Sequence, residues 1–131
     1  MRDAFERFQC PPTRTFHAIG GKLLAGSDTI IPGLVPGLAL HRELAELVKA
    51  GLTPYEALRS STRRPFEYLG EADKTGTIEV GKRSDMIPVD EDPLQSMCGA
   101  SKISGVLVRG RRIGSEEVNA RMKKIAAVYS R

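Results

Sequence analysis

The chain of 131 residues has the length of one ordinary domain, and with 40% hydrophobic and 27% charged residues it is not a disordered segment. Its net charge is +4. The longest apolar run, IIPGLVPGLAL, is too short to cross a bilayer, and MRDAFERFQC has no apolar signal core. Cys10 and Cys98 lie far apart, which indicates a reducing compartment and no disulfide scaffold. We therefore expect a cytoplasmic protein.

The first part of the chain predicts one helix, one short strand and a loop. Residues 2–9 are typical of a short amphipathic helix that ends at Pro11 and Pro12. AIGGKLLAG predicts a turn and then a short strand bounded by glycines. SDTIIPGLVPG predicts a loop, because its prolines and glycines do not fit a regular element.

Three helices are predicted next. The first has an apolar stripe at helical spacing and ends at Gly51. Its stripe consists of Leu40, Leu44, Leu47 and Val48. The second begins at TPYE, where Thr53 is the N-cap and Glu56 reaches back to it. The third covers residues 62–69 and ends at Gly70.

The last part of the chain predicts strands and a final helix. GTIEVGK alternates as a strand does, and SDMIPVD is a second apolar run in which Pro88 favours an edge strand or a bulge. ISGVLVRGRRIG predicts a hairpin that turns near Gly110. Ser115 can cap a helix with one apolar face, formed by Val118, Met122, Ile125 and Val128. The change in pattern predicts a boundary near residues 71–76.

Five motifs, in this order, carry a family resemblance. LLAGSDT is similar to the end of an eighth barrel strand, and PGLALHRELAELVKAGLTPYEALRSST to the helices after it. RPFEYLG, GTIEVGKRSDMIPVDEDPL and ISGVLVRGRRI are similar to the stretches that lead into and close a small β-sandwich. Over residues 20–113 the chain thus resembles the C-terminal part of the metal-dependent amidohydrolase superfamily, in particular its imidazolonepropionase-like and dipeptidase-like branch.

The resemblance implies a fold class and a division of the chain. The family's catalytic domain is a (β/α)8 barrel with its metals at the C-terminal mouth. The expected fold is α/β: a C-terminal fragment of such a barrel, with its last strand and helices, plus part of a small β-sandwich that ends in a helix. Residues 1–70 would be the barrel-derived strand and helices. Residues 71–131 would be the sandwich portion with the C-terminal helix.

The resemblance also implies a reaction and a site residue. The complete enzyme would hydrolyse a C–N bond in an amide, cyclic amide or dipeptide-like substrate, using water activated by a divalent metal, most naturally zinc. Asp28 matches the family's eighth-strand aspartate, a metal ligand that accepts the water's proton and passes it to the leaving nitrogen. Read without the resemblance, Asp28 is a loop carboxylate that caps a turn.

Most of the family's metal ligands have no counterpart in this sequence. It contains no His-x-His, and its two histidines, His17 and His41, are expected to contact backbone or solvent. Zinc needs three or four protein ligands, so one matched aspartate does not make a site. We expect this chain alone to be inactive and to need its missing N-terminal portion or other copies of itself. Arg64, Ser84 and Pro88 also depart from the family pattern.

Two other interpretations remain open on the sequence. The chain could be a non-catalytic, self-associating scaffold module without a metal site. It could also bind nucleic acid through residues 109–131, although a solvated helix face explains this stretch better, because Glu116 and Glu117 interrupt it and no aromatic platform accompanies it. Its basic residues are Arg109, Arg111, Arg112, Arg121, Lys123, Lys124 and Arg131.

Overall fold

Helices and one β-hairpin make up the fold of the computed structural model, which describes residues 10–29 and 35–129. The helices are α1 (Cys10–Ala18), α2 (Leu38–Lys49), α3 (Pro54–Ser61), α4 (Arg63–Leu69) and α5 (Ser115–Tyr129), with a 3-10 helix at Met97–Ser101. The strands are β1 (Gly105–Val108) and β2 (Arg111–Gly114), which form a two-stranded antiparallel sheet. None of the helices in the described part of the chain is long and apolar enough to span a membrane.

The start of the chain differs from its prediction. The helix predicted over residues 2–9 lies outside the described residues. Pro11 and Pro12 were expected to end that helix, which stays a prediction, and both lie in the first turn of α1, a helix that the sequence did not predict. Proline is tolerated there, since the first N–H groups of a helix have no partner within the helix. Arg14 of α1 donates from Nε to the Ala50 carbonyl at 3.2 Å, which joins α1 to the end of α2.

The apolar stripe predicted for α2 is confirmed, since Leu44 and Leu47 are buried. The predicted end of the helix is confirmed as well. Gly51 has a φ of 113°, which a residue with a side chain rarely adopts, and it turns the chain out of the helix. The N–H of Leu52 then donates to the Leu47 carbonyl at 3.1 Å, and the Leu52 side chain is buried.

The start of α3 is the capping box that TPYE predicts. The Thr53 N–H donates to Glu56 Oε2 at 2.8 Å, and the Glu56 N–H donates to Thr53 Oγ1 at 3.2 Å. Two N–H groups that the helix cannot pair are satisfied in this way. The third helix is also confirmed, because α4 ends at Gly70 in the left-handed conformation.

The core lies between α2, α3 and the 3-10 helix. It consists of Leu44, Leu47, Leu52, Ala57, Met97 and Ala100. Met97 and Ala100 come from the second half of the chain, so residues from both sides of the expected boundary near 71–76 pack in one cluster. The division into 1–70 and 71–131 stays a prediction.

Two predicted strands are wrong as hydrogen-bonded strands. Residues 21–28 form an extended segment only in the alternation of their exposure, since they have no regular secondary structure, and among the described residues they pair with no other strand. Residues 76–82, in GTIEVGK, form bends and a turn, with the Lys82 N–H donating to the Glu79 carbonyl at 3.2 Å. Alternation of apolar and polar residues predicts which side chains of a segment face the core. A strand also requires a neighbouring strand that pairs with its N–H and C=O groups.

The hairpin is confirmed. β1 and β2 pair with Val108 opposite Arg111, and Arg109 and Gly110 between them both have positive φ. Turns of this kind match the twist of the flanking strands. SDMIPVD runs beside β1 with an isolated bridge from Met86 to Leu107, as expected of an interrupted edge strand.

Candidate functional site

Asp28 lies at the end of the extended segment, residues 21–28. Along this segment, exposed and partly buried residues alternate one by one, as they do in a strand with one face on a core. Leu23 and Ala25 pack against the core cluster, while Leu24 and Asp28 are exposed. The inward face of the segment therefore packs on the core, and Asp28 is the last residue on its outward face.

The backbone of Asp28 has a φ of 44°. Positive φ is uncommon outside glycine, and aspartate is among the few residues that tolerate it. Such conformations occur at turns and are also concentrated at functional sites. The geometry thus agrees both with a turn carboxylate and with a carboxylate presented to a ligand.

Two contacts fix the extended segment on the helices. The Ala25 N–H donates to the Ser60 carbonyl at 3.0 Å, at the end of α3. Glu43 of α2 lies next to the Gly26 amide. Burial raises the pKa of Glu43 above its ordinary value, the Gly26 N–H opposes this rise, and the charge of Glu46 adds to it.

The sequence interpretation missed Glu43. Its signal was present, because Glu43 lies four residues after Ala39 and four before Leu47, both of which are buried. A carboxylate in that row has to face inward in part, toward the segment that carries Asp28. The sequence could not show which backbone amide it would meet there.

The two histidines lie on helices, and within the described residues no ion pair joins either of them to Asp28. His17, in α1, faces Glu56 of α3, with 3.4 Å between its Nε2 and Glu56 Oε2. His41 lies in the first turns of α2, and its buried Nδ1 has no hydrogen-bond partner among the described residues. His17 was expected to contact backbone or solvent, and it contacts a carboxylate.

Glu56 therefore takes part in two interactions, the capping box with Thr53 and the contact with His17. Hydrogen bonds from the backbone and then the side chain of Thr53 lower the pKa of Glu56, and the charges of His17 and Arg64 lower it further. This cluster joins α1 to α3. It stabilises the fold, and no hydrogen bond or ion pair among the described residues joins it to Asp28.

Within residues 10–29 and 35–129, no group of three or more His, Cys, Asp or Glu side chains is placed to hold a metal ion. Cys10 and Cys98 are free thiols. A zinc site needs three or four protein ligands. The donors that the described residues bring together do not make up a metal site by themselves.

The amidohydrolase family model matches residues 9–113 of this chain. The chain belongs to the amidohydrolase family. The match contains the extended segment, the helices α2 to α4 and the hairpin, and it ends just before α5.

Individual relatives agree with the family assignment. An imidazolonepropionase of Mesorhizobium japonicum is 38% identical over 78 residues, which are 58% of this chain and 19% of that protein. A putative prolidase from Bifidobacterium longum superposes with a TM-score of 0.73 at 30% identity, over 79% of this chain and 26% of that structure. A Xaa-Pro dipeptidase with bound methionine in its active site superposes with the same TM-score at 24% identity, over 81% of this chain and 25% of that structure. At this identity the similarity shows the fold alone.

The chain thus spans about a fifth of the curated relative and about a quarter of the solved structures. Enzymes of the amidohydrolase type are its structural neighbours, and the chain corresponds to one part of them.

Proposed function

We propose that this chain corresponds to a C-terminal section of a hydrolase that acts on a C–N bond in an amide, cyclic amide or dipeptide-like substrate. In this proposal it represents the last strand and helices of a (β/α)8 barrel and part of a β-sandwich, and Asp28 is the metal-facing carboxylate and proton-transfer group. One observation carries the proposal. Asp28 ends an extended, core-backed segment inside the stretch that the amidohydrolase family matches.

The segment that carries Asp28 supports the idea that more polypeptide completes the protein. Leu23 and Ala25 anchor one face, but Leu24 on the other face is 44% exposed. In the described residues, no strand pairs with this segment. Unpaired strand edges and uncovered apolar side chains bind further strands readily. A neighbouring strand supplied by further polypeptide would give the segment its missing hydrogen bonds.

The same proposal predicts no activity for this chain alone. It contributes one carboxylate, and the remaining metal ligands would come from polypeptide outside the described residues. Zinc is the first metal to test, because it accepts carboxylate together with histidine ligands. The substrate class rests on the family and on the names of the relatives above.

Metal content is the first test. The chain is purified with zinc present, desalted and analysed for metal, beside Asp28→Asn and the matched control Asp73→Asn, which removes an exposed carboxylate in a loop. About one zinc per chain that is lost only in Asp28→Asn would mean that several copies assemble the ligands. Zinc retained in Asp28→Asn would overturn the assignment of Asp28.

Complementation tests the activity. The chain is mixed with the part of the Mesorhizobium japonicum imidazolonepropionase that lacks the matched section, and amide, cyclic amide and Xaa-Pro dipeptide substrates are supplied. Turnover is expected only with both parts present. It should be lost in Asp28→Asn and kept in Asp73→Asn. Turnover that survives in Asp28→Asn would contradict the proposed role.

A non-catalytic scaffold is the second candidate. It is favoured by exposed apolar side chains in the sandwich-like part, where Ile78 is 83% exposed and Val80 is fully exposed. A self-associating module would bind no metal and would cover these side chains with other copies of the chain. A complex without zinc, unable to complement any hydrolase part, would decide for this candidate.

A further inference from the structure

Helix α1 leads directly into the extended segment, residues 21–28, that ends at the proposed site. Two hydrogen bonds close the turn between them. The Gly20 N–H donates to the His17 carbonyl, and the Gly21 N–H donates to the Phe16 carbonyl, both at 2.9 Å. The last turn of α1 is thus bonded to the start of the segment.

The Phe16 ring packs against this turn. It lies so close to Gly21 that a Cβ atom at this position would overlap the ring carbons. A hard-sphere contact of this kind, together with the two hydrogen bonds, restricts the turn to few conformations. We therefore expect α1 and the start of the segment to move together.

Polar contacts hold α1 on α2 and α3. None of the residues of α1 is buried, and none belongs to the core cluster. Arg14 donates from Nε to the Ala50 carbonyl at 3.2 Å and from Nη2 to the Lys49 carbonyl at 3.3 Å. His17 adds its contact with Glu56. Because α1 has no buried apolar face, its position depends on contacts such as these.

The carbonyls that Arg14 meets lie at the C-terminal end of α2. The last carbonyls of a helix have no partner within the helix, and this end carries a partial negative charge. A guanidinium group presents its N–H donors as a planar fork, so it can satisfy two neighbouring carbonyls at once. Hydrogen bonds from a charged donor are also stronger than neutral ones. Arg14 therefore fastens α1 at one defined place.

The extended segment is attached both at its middle and at its start. The bond from Ala25 to Ser60 and the contact of Glu43 with Gly26 hold its middle. Helix α1 holds its start. Attachment at the middle alone leaves a segment free to pivot, whereas a separate attachment at the start sets its direction. This direction determines where the Asp28 carboxylate is presented.

We propose that Arg14 is a positioning residue, which sets the direction of the Asp28 segment through α1 and the turn at Gly21. This role rests on the proposed function, since it concerns the same site. Arg14 acts through the fold, because its own hydrogen bonds go to the end of α2.

Amide hydrogen exchange, followed by NMR on the full chain, tests the attachment without any activity. Arg14→Ala should speed exchange of the Ala25 N–H at least about tenfold, the factor expected when hydrogen bonds from a charged donor are lost. Exchange of the Leu44 N–H, in the core, should stay within about twofold. Arg42→Ala removes the same charge from an exposed position on α2 and is the control, which should leave both rates unchanged.

Two further variants separate positioning from general stability. Arg14→Lys keeps the charge and loses the planar fork, so its exchange rate at Ala25 should lie between those of the wild type and Arg14→Ala. Gly21→Ala leaves Arg14 in place and introduces the Cβ atom that overlaps the Phe16 ring. It should speed exchange at Ala25 as Arg14→Ala does, because it disturbs the link between α1 and the segment.

Three results would overturn the role of Arg14. Exchange at Ala25 could be unchanged in Arg14→Ala, which would mean that α1 does not hold the segment. It could rise equally at Leu44, which would mean that Arg14 acts on the whole fold. Gly21→Ala could have no effect, which would mean that the turn does not link α1 to the segment.

The complementation assay tests the consequence for the reaction. Arg14→Ala should lower kcat more than it changes KM, because it displaces the carboxylate that moves the proton. Arg14→Lys should recover part of kcat, and wild-type kcat in Arg14→Ala would overturn the positioning role. Failure of the hydrolase proposal looks different, since even the wild-type chain would then give no turnover. The exchange rates would still decide whether Arg14 fixes the segment.

Discussion

The helical unit from α2 to α4 supplies most of the buried core, whereas two segments without regular secondary structure, residues 21–29 and 77–89, contain no buried residue. In the helical unit, Leu44, Leu47 and Ala57 are buried. In the other two segments, Leu24, Ile78 and Ile87 are exposed to solvent. A helix forms most of its backbone hydrogen bonds within one segment, whereas a strand depends on a neighbour. The difference indicates that α2 to α4, together with the 3-10 helix, carry the packed core, and that the other two segments add little to it.

Truncation of the core should give the largest effect. Leu44→Ala removes a buried side chain at the centre of the cluster and should lower the free energy of unfolding by about 3 kcal/mol. Leu38→Ala makes the same change on the same helix, where the side chain is 65% exposed, and should cost less than about 0.5 kcal/mol. Urea unfolding measures both. Equal losses would contradict the burial that defines the helical unit.

Loss of the capping box should cost less. Thr53→Ala removes the hydroxyl that accepts from the Glu56 N–H and should lower the free energy of unfolding by about 1 kcal/mol. Thr53→Ser keeps a hydroxyl in place and should restore most of it. If both variants behave alike in urea, the cap is not what fixes the start of α3.

These helical features are the ones that the sequence predicted well. The apolar stripe of α2, the capping box at Thr53 and the stop at Gly70 are all local, because each depends on residues within about one or two turns. The hairpin at Gly110 is local in the same sense. Asp28 was singled out through a family resemblance, and its position at the end of an exposed face agrees with that interpretation without testing its role.

The failures concern contacts between distant residues. The strands predicted in AIGGKLLAG and GTIEVGK require partners, and the described residues contain none for them. The link between His17 and Glu56 joins residues 39 positions apart, and that between Glu43 and Gly26 joins a helix to a loop. Periodicity carries no information on such pairs, since it describes one element at a time.

The pH dependence of stability should change moderately with Glu56. Because the pKa of Glu56 is lowered in the folded chain, its carboxylate stabilises the fold above the ordinary value of 4.5. This contribution is lost as the pH falls below that value. Glu56→Gln should therefore show a shallower loss of stability between about pH 5 and pH 3 than the wild type. Glu91→Gln, which removes an exposed charge outside any capping box, is the control for net charge. Identical slopes in all three chains would contradict the assignment.

Substitution of the exposed apolar residues Ile78 and Val80 should have the smallest effect on the free energy of unfolding. Ile78→Thr and Val80→Thr change apolar side chains that are almost wholly exposed, so each should alter the free energy of unfolding by less than about 0.5 kcal/mol. A loss above about 1 kcal/mol in urea, which is typical of a packed residue, would mean that the isolated chain already covers this segment. Exposed apolar side chains that contribute nothing to the stability of the chain are typical of an interaction surface. The partner for that surface is not among the described residues. The helical unit, packed on the 3-10 helix, would then be the part that holds the fold together, and residues 77–89 the part that is completed by association.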